Sequence, residues 1–559
     1  VPFFVVGTDQ AKICLVDSRT FEDTTRDSKP KLLHEGCQGS IRAMVCHPAK
    51  PEFLITGANG TVQRWCMHNR RLLGSHKLSN GPATCMALSR DGSSLMLGYE
   101  SGIVQLLSSE TYEEEVQFRN TLKPITHVAY SGSGEHMAAM EATFHLALYA
   151  YGPIKGTTRW EYMGKHKSHH GEVVGLCFGE APSGATRLFS LSKDGRIAEY
   201  DLQNSSMSNG VQLVQLTNVA GVDAAPSLPT ALAFAPPLPY YVSGATNTML
   251  VVADDGYKLS MFDADYRTRN ATYLGPTYAG PITHMEMFRS AASKEHHMAY
   301  ATAECIVGLV AMPLDGNPEK SMGLIAHPGP IAAMGVSYDG RKMITCGTDG
   351  IVNMWALSTT ALDLVATTTQ VSGSKWAHLM AGGEGDDAFR EIQDYFCYAQ
   401  IRAQGEETTA PRTMDNHIPV EALPDVLRAL GYYPSKVEIS SMLADINAKA
   451  AAREQPAPTH ISFEQFLALY ANYRPVSGVG KSDINSAFRI LSGGGRELSR
   501  EELVKVLTTE GEPMTEEELA ECLHVLTGSE PDASLRDALP AVISARGFAE
   551  QILGFEAEF

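Results

Sequence analysis

From about residue 37 to residue 366, apolar residues come in short runs punctuated by Gly, Asp, Asn and Ser, with none of the 3.6-residue spacing of a helix. One unit recurs along this stretch. A small residue or Pro precedes a β-branched start and a short apolar strand; a turn, a second strand, a further turn and an aromatic-ended strand follow. The unit begins near Ile41, Ala83, Ile125, Val173, Thr230, Ile282 and Ile331. Between the later strands the turns read Gly57-Ala58-Asn59-Gly60, Lys193-Asp194-Gly195, Asp254-Asp255-Gly256 and Thr348-Asp349-Gly350. Asn-Gly and Asp-Gly suit tight hairpins because positive φ is cheap there. Seven such units predict a ring of small antiparallel sheets, closed so that few strand edges are left to pair with other chains.

The spacing of roughly 42 to 57 residues brackets the ~40–45 of WD blades. Trp65, Tyr200-Asp201, Phe262-Asp263 and Trp355 resemble the Trp-Asp close of a WD40 blade, and His34, His76, His169 and His327 sit where that family carries its Gly-His. The expected structural positions are therefore Trp65, Asp194, Asp201, Asp263, Asp349 and Trp355. Such histidines are expected to bond within their own blades rather than hold metal. The pairs His169-His170 and His296-His297 are poor metal sites, since neighbours on a strand point to opposite faces. Gly7-Thr8-Asp9 and Leu15-Val16-Asp17 mark residues 1–36 as the remnant of a preceding blade, either an eighth blade or the tail of a second propeller. The longer stretches 201–228 and 263–280 are expected to be partner-binding loops. Met140, Met285 and Met287 are expected in the core.

Near residue 366 the periodicity changes. Residues 367–385, with Ser372-Gly373-Ser374 and Gly382-Gly383-Glu384-Gly385, read as a linker. Beyond them, about eight short helices in four pairs are expected. Their starts are marked by capping boxes, Ser435 with Glu438, Ser499 with Glu502 and Thr515 with Glu518, in which two orphan backbone donors are satisfied reciprocally. Residues 386–475 and 476–559 form two such groups, whose order of helix, linker and loop resembles calmodulin, as in Ala422 to Gly431, Pro434-Ser435 and Ile461 to Phe466. The fold class expected is thus a seven-bladed all-β WD40 propeller with a partial preceding blade, then an all-α calmodulin-like EF-hand domain.

Calcium needs six to eight oxygens, supplied by an EF loop from positions 1, 3 and 5 and a bidentate Glu at 12. With Ile418 central, the first loop runs from Pro411 to Ala422 and keeps only Asp415 as a carboxylate ligand. In the second, Asn447 would open the loop and Gln465 close it across an overlong, ligand-poor segment. The third keeps Glu502 but opens at Ser492-Gly493-Gly494-Gly495, one residue short. The fourth, around Ile543, ends at Arg546 and Gly547. No metal is expected, and no cofactor.

The composition removes further classes. Lys plus Arg number 45 against 64 Asp plus Glu, giving −19, which disfavours nucleic acid and anionic membranes as partners. No apolar run reaches the roughly 20 residues of a membrane span. Ten cysteines fall singly in apolar patterns, as reduced core thiols do, which places the chain in a reducing compartment and makes Asn59-Gly60-Thr61, Asn204-Ser205-Ser206 and Asn270-Ala271-Thr272 chance glycosylation triplets. Gly478 to Ser482 imitates the end of a P-loop but follows a helix rather than a strand. Val1 in place of Met suggests a piece of a longer chain. With no recognisable catalytic frame, the expectation is a non-enzymatic scaffold.

WD repeats followed by Tyr395 to Gly405, Leu423 to Pro434 and Gly511 to Glu518 resemble one family, that of cilia- and flagella-associated protein 251. The resemblance implies a subunit of the calmodulin- and spoke-associated complex in the cytoplasm, cytoskeleton and axoneme of motile cilia and flagella. It also implies a place at the base of radial spoke 3 on the doublet microtubule, contact with calmodulin, with other complex subunits and with radial spoke 3 proteins, and a part in regulating dynein-driven motility. It carries no catalytic residues. Other readings are a calcium-responsive sensor subunit and a substrate adaptor of a ubiquitin ligase.

Overall fold

The structure is a computed structural model and describes residues 3–8, 12–19, 31–35, 39–154, 157–181, 183–219, 227–235, 249–263, 268–278, 280–291, 295–317, 320–360, 387–405, 411–451, 455–476, 478–528 and 539–555. The linker expected at 367–385 lies outside the described residues. Contacts divide the chain into two compact units. One comprises Val1–Ala220, Pro226–Tyr432 and Ser441–Arg474; the other is made mainly of Tyr433–Ser440 and Pro475–Phe559.

Seven antiparallel sheets in the first unit form a propeller, with strands lettered a to d from the centre outward. Strands a are Ile41–Cys46, Ala83–Leu88, Ile125–Tyr130, Val173–Glu180, Pro229–Ala235, Ile282–Arg289 and Ile331–Val336. They pack side by side in sequence order, and the seventh meets the first, closing the ring. Six blades have four strands; among the described residues blade 7 has three, ending at Val352–Ala356. Residues Phe3–Gly7, Lys12–Asp17 and Lys31–Glu35 form a separate three-stranded sheet.

Each neighbouring pair of blades shares one apolar cluster, and the ring has seven. Strand b of blade 2, Ser94–Tyr99, shows how the sequence achieves this: Leu95, Leu97 and Tyr99 face blade 1 with Leu54 and Val62, while Met96 faces blade 3 with Ile125 and Met137. Burial on both faces explains why these strands read as continuous apolar runs rather than alternating ones. The cluster closing blade 7 onto blade 1 sets Ile344 and Cys346 against Ile41, Phe53 and Ile55. Each such side chain contributes about 1.5–3 kcal/mol by leaving water. Met140 is in the core as expected, and Met285 and Met287 pack partly buried against it.

Among the described residues, the stretches expected as loops are mostly sheet. Residues 196–218 form a long hairpin, Arg196–Ser206 with Gly210–Asn218, and Thr268–Leu274 is strand d of blade 5. Outer strands carry polar residues on a solvated face, so their pattern is weak.

Eight α-helical segments follow among the described residues: α1 Asp387–Ala403, α2 Leu423–Ala429, α3 Lys436–Ala451, α4 Phe463–Tyr473, α5 Lys481–Leu491, α6 Arg500–Thr509, α7 Glu516–Thr527, and α8 Ala545–Gly547, which continues as a π turn Phe548–Ile552. All three capping boxes form, with Glu438, Glu502 and Glu518 carboxylates accepting the N–H of Ser435, Ser499 and Thr515 at 2.8–3.0 Å. In the first unit Ile418 pairs with Ile461 in a two-stranded ladder above a core in which Phe396 meets Phe463 edge-on at 5.0 Å. In the second, Leu498 pairs with Ile543 over Phe488, Leu503, Leu519 and Leu523.

Candidate functional site

Two blades carry a buried hydrogen-bond relay. In blade 7 the Trp355 indole N–H donates to Thr345 Oγ1 at 3.0 Å, and His327 Nε2 meets the same oxygen at 2.9 Å. Asp349 stands 3.9 Å from His327 Nδ1 and accepts the N–H of Ile351. In blade 4 the set is Tyr200, Ser190, His169 and Asp194: His169 Nε2 lies 2.7 Å from Ser190 Oγ, which contacts Tyr200 Oη at 2.8 Å, and Asp194 is 3.5 Å from His169 Nδ1. Burial pushes both imidazoles below their ordinary pKa, against the pull of the aspartates, so they are neutral structural partners.

The other expected positions differ. Trp355 pairs with Met343 and finds Thr345 two residues on; Trp65 pairs with Phe53, and two residues on is Ile55. With no hydroxyl there, the Trp65 N–H turns to Gln63 Oε1 at 3.2 Å. His76 is not part of a relay: it lies on strand d of blade 1, stacked on Tyr112 at 5.3 Å. His34 lies on the strand Lys31–Glu35 of the separate sheet. Asp201 caps a turn, accepting the backbone N–H groups of Gln203 and Asn204 and the Asn204 amide, which hold its carboxyl below the usual range. Asp263 is buried at the end of strand c of blade 5.

The loop positions are placed as follows. Pro411 and Asp415 are exposed, and Asp415 Oδ1 is spent on the N–H of His417. Ala422 makes no side-chain cap at the start of α2. Asn447 does not open a loop: it lies inside α3, which runs on to Ala451, supported by the Lys449–Asp445 pair at 2.9 Å. Counting back from Ile461 instead puts that opening at residue 454, outside the described residues. Gln465 and Glu502 serve as capping residues for Ser462 and Ser499. Ser492 ends α5, its hydroxyl donating to Phe488 O. Counting back from the Leu498–Ile543 pairing moves the expected opening of the third loop from Ser492 to Leu491, so the expected loop is not one residue short, and it has glycines at 493 and 495.

Sequence reasoning missed two features. The first is a set of ionisable groups on the central strands. Glu286 Oε2 accepts the N–H of Val336 across the blade 6–7 seam at 3.0 Å, and burial lifts its pKa to about 7. Burial likewise pushes the Cys85 and Cys177 thiols up to about 12 and His127 down to about 4. Cys522, by contrast, is exposed. The second is a dock between helix and propeller. The C-terminal turn of α4 packs on strand d of blade 5, where Asn472 Oδ1 accepts the N–H of Leu274 at 2.9 Å and Lys258 Nζ donates to Arg474 O at 2.7 Å. Arg269 donates to Ser441 Oγ at 2.7 Å, and the Lys449 ammonium lies 5.8 Å from the Tyr273 ring. These contacts fix the first helical group to the propeller, leaving a groove of about 460 Å³ beside α1 and α2, lined by Tyr395, Tyr398, Arg402, Glu421 and Asp425.

Residues 387–553 match the family model described as the CFAP251 C-terminal domain. The whole chain is 32% identical to cilia- and flagella-associated protein 251 of Chlamydomonas reinhardtii, covering 57% of that protein. The chain belongs to the cilia- and flagella-associated protein 251 family. The mouse (Mus musculus) relative of that name is 30% identical over 99% of the chain and 43% of its own length. The chain thus spans about half the length of these curated relatives. Part of it, 23%, is 29% identical to mouse dynein regulatory complex protein 8. The model for the WD domain, G-beta repeat, matches residues 318–356, which contain blade 7 with its Asp–His–Thr–Trp relay. The family's own C-terminal model spans α1 to α8.

Proposed function

We propose that the chain is a non-enzymatic scaffold of the ciliary and flagellar axoneme. Its place is the base of radial spoke 3 on the doublet microtubule, within the calmodulin- and spoke-associated complex. There it holds neighbouring subunits, calmodulin and radial spoke 3 proteins in positions that regulate dynein-driven motility. Likeness to a family named for cilia and flagella supports the setting, and likeness to a dynein regulatory complex protein supports partners of that kind.

The observation that carries the scaffold reading is the dock of α4 on blade 5. A helical group fixed to a propeller presents one composite surface whose parts keep their spacing, as simultaneous engagement of several partners requires. We read the helical pairs as EF-hand-like, with ladders intact and loops short of carboxylates. The groove beside α1 and α2 would then grip an amphipathic partner helix without calcium to open it.

Cross-linking of native axonemes tests this. Cross-links from the α1–α2 groove to a helix of another spoke or complex subunit are expected. Enrichment of ubiquitin-ligase subunits without axonemal proteins would favour a substrate adaptor, and micromolar calcium binding by the full chain would favour a sensor.

A further inference from the structure

A second groove, on the rim of blades 2 and 3, has a different chemistry. It encloses about 1360 Å³ between strand d of blade 2 and the long c–d hairpin of blade 3, and its walls are Phe118, Tyr130, Tyr151, Trp160 and Tyr162. Trp160 is the centre of a ring ladder, 6.0 Å from Tyr130 at 68° and 5.1 Å from Tyr151 at 50°. Tyr151 is nearly half exposed, so this is not closed core. The Tyr130 ring is half-buried and its hydroxyl is shielded from solvent, so it is the ring and not the hydroxyl that the groove offers a ligand.

The charge is uneven. Arg90 is taken up by the Gly132 carbonyl at 2.8 Å and by Glu180 at 3.6 Å, leaving Asp91, Glu115 and Glu161 against Arg159.

From these observations we infer that the groove binds a proline-rich segment of a partner protein, in polyproline II conformation and flanked by Lys or Arg. A polyproline II chain is extended and already ordered, so its rings meet the groove wall at a fixed repeat. Two residues of that helix advance ~6 Å, which matches the ring spacings here, and flat pyrrolidine rings pack on aromatic faces with little entropy left to lose. The carboxylates select the basic flank.

The test uses the full chain and fluorescein-labelled peptides bearing a Pro-x-x-Pro core with two terminal arginines, read by anisotropy. The control peptides replace proline by alanine. Saturable binding is expected for the proline peptides, at least tenfold weaker for the alanine controls. Trp160→Ala should weaken it by a further tenfold or so, and Tyr151→Ala several-fold. Because Tyr151 is at the surface, its variant keeps the fold even if the tryptophan variant does not. Glu161→Lys should weaken the arginine-flanked peptides and spare those flanked by glutamate. Equal binding of proline and alanine peptides, no saturation by about 1 mM, or indifference to Tyr151→Ala would overturn the proposal.

Discussion

The side-chain oxygen of Asn472, on α4, accepts the backbone N–H of Leu274, on the outer strand of blade 5, at 2.9 Å. Asn472 is 2% exposed, and its amide nitrogen also approaches Asp315 O at 3.4 Å. Two segments nearly 200 residues apart in sequence are thereby joined. Asn472→Ala strands the Leu274 N–H in a buried place, at a cost of about 1–3 kcal/mol. Hydrogen exchange should accelerate in 463–474 more than in the propeller strands. Unchanged protection there would refute the dock.

Gly316 faces the same asparagine. Its φ is +80°, and a Cβ would come within 1.8 Å of Asn472 Oδ1. Gly316→Ala combines backbone strain with that clash and should destabilise by more than about 1 kcal/mol. Thermal melts of this variant and of Gly134→Ala, at a positive-φ turn with open space around it, separate the two effects, since only Gly316 carries the clash.

Thr345→Val keeps the shape of blade 7 but removes the oxygen shared by His327 and Trp355. Two buried polar groups lose their partner, so the loss should be about 1–3 kcal/mol. Near-ultraviolet circular dichroism should also report a change at Trp355. Blade 1 has Ile55 at the matching place, and Ile55→Val there should cost only the ~1 kcal/mol of a lost methylene.

Glu286 gives the ring a pH dependence of definite sign. Its folded pKa is about 7 against 4.5 when exposed, so the native state holds a proton that the unfolded chain releases. Stability should therefore fall as pH rises from about 4.5 to 7 and stay lowered above that. Glu286→Gln still accepts the Val336 N–H and has no charge to bury. Urea unfolding should show the variant gaining on the native protein by on the order of 2 kcal/mol between pH 5 and pH 8. A pH-independent difference would place Glu286 in open water.

Much of the ring was legible because its signal is local. Six of the seven inner strands begin at the residues the repeat marks, and the fifth begins at Pro229, one before Thr230. The capping boxes were equally readable, each being a contact across three residues. The outer strands were not, since their solvated faces accept polar residues that a loop accepts too. The misplacement of Asn447 has a similar origin: alanines at 448, 450 and 451 carry α3 further than loop spacing suggested.

Sequence by itself determined the number of blades and the helix starts, because each depends on residue type at short, fixed separation. Tertiary structure alone decided that α4 rests on blade 5, that Glu286 sits at the blade 6–7 seam and that five aromatic rings from two blades line one groove. Those relationships join residues tens to hundreds of positions apart. Their energy comes from burial and desolvation, which exist only once the ring has closed and brought distant strands together.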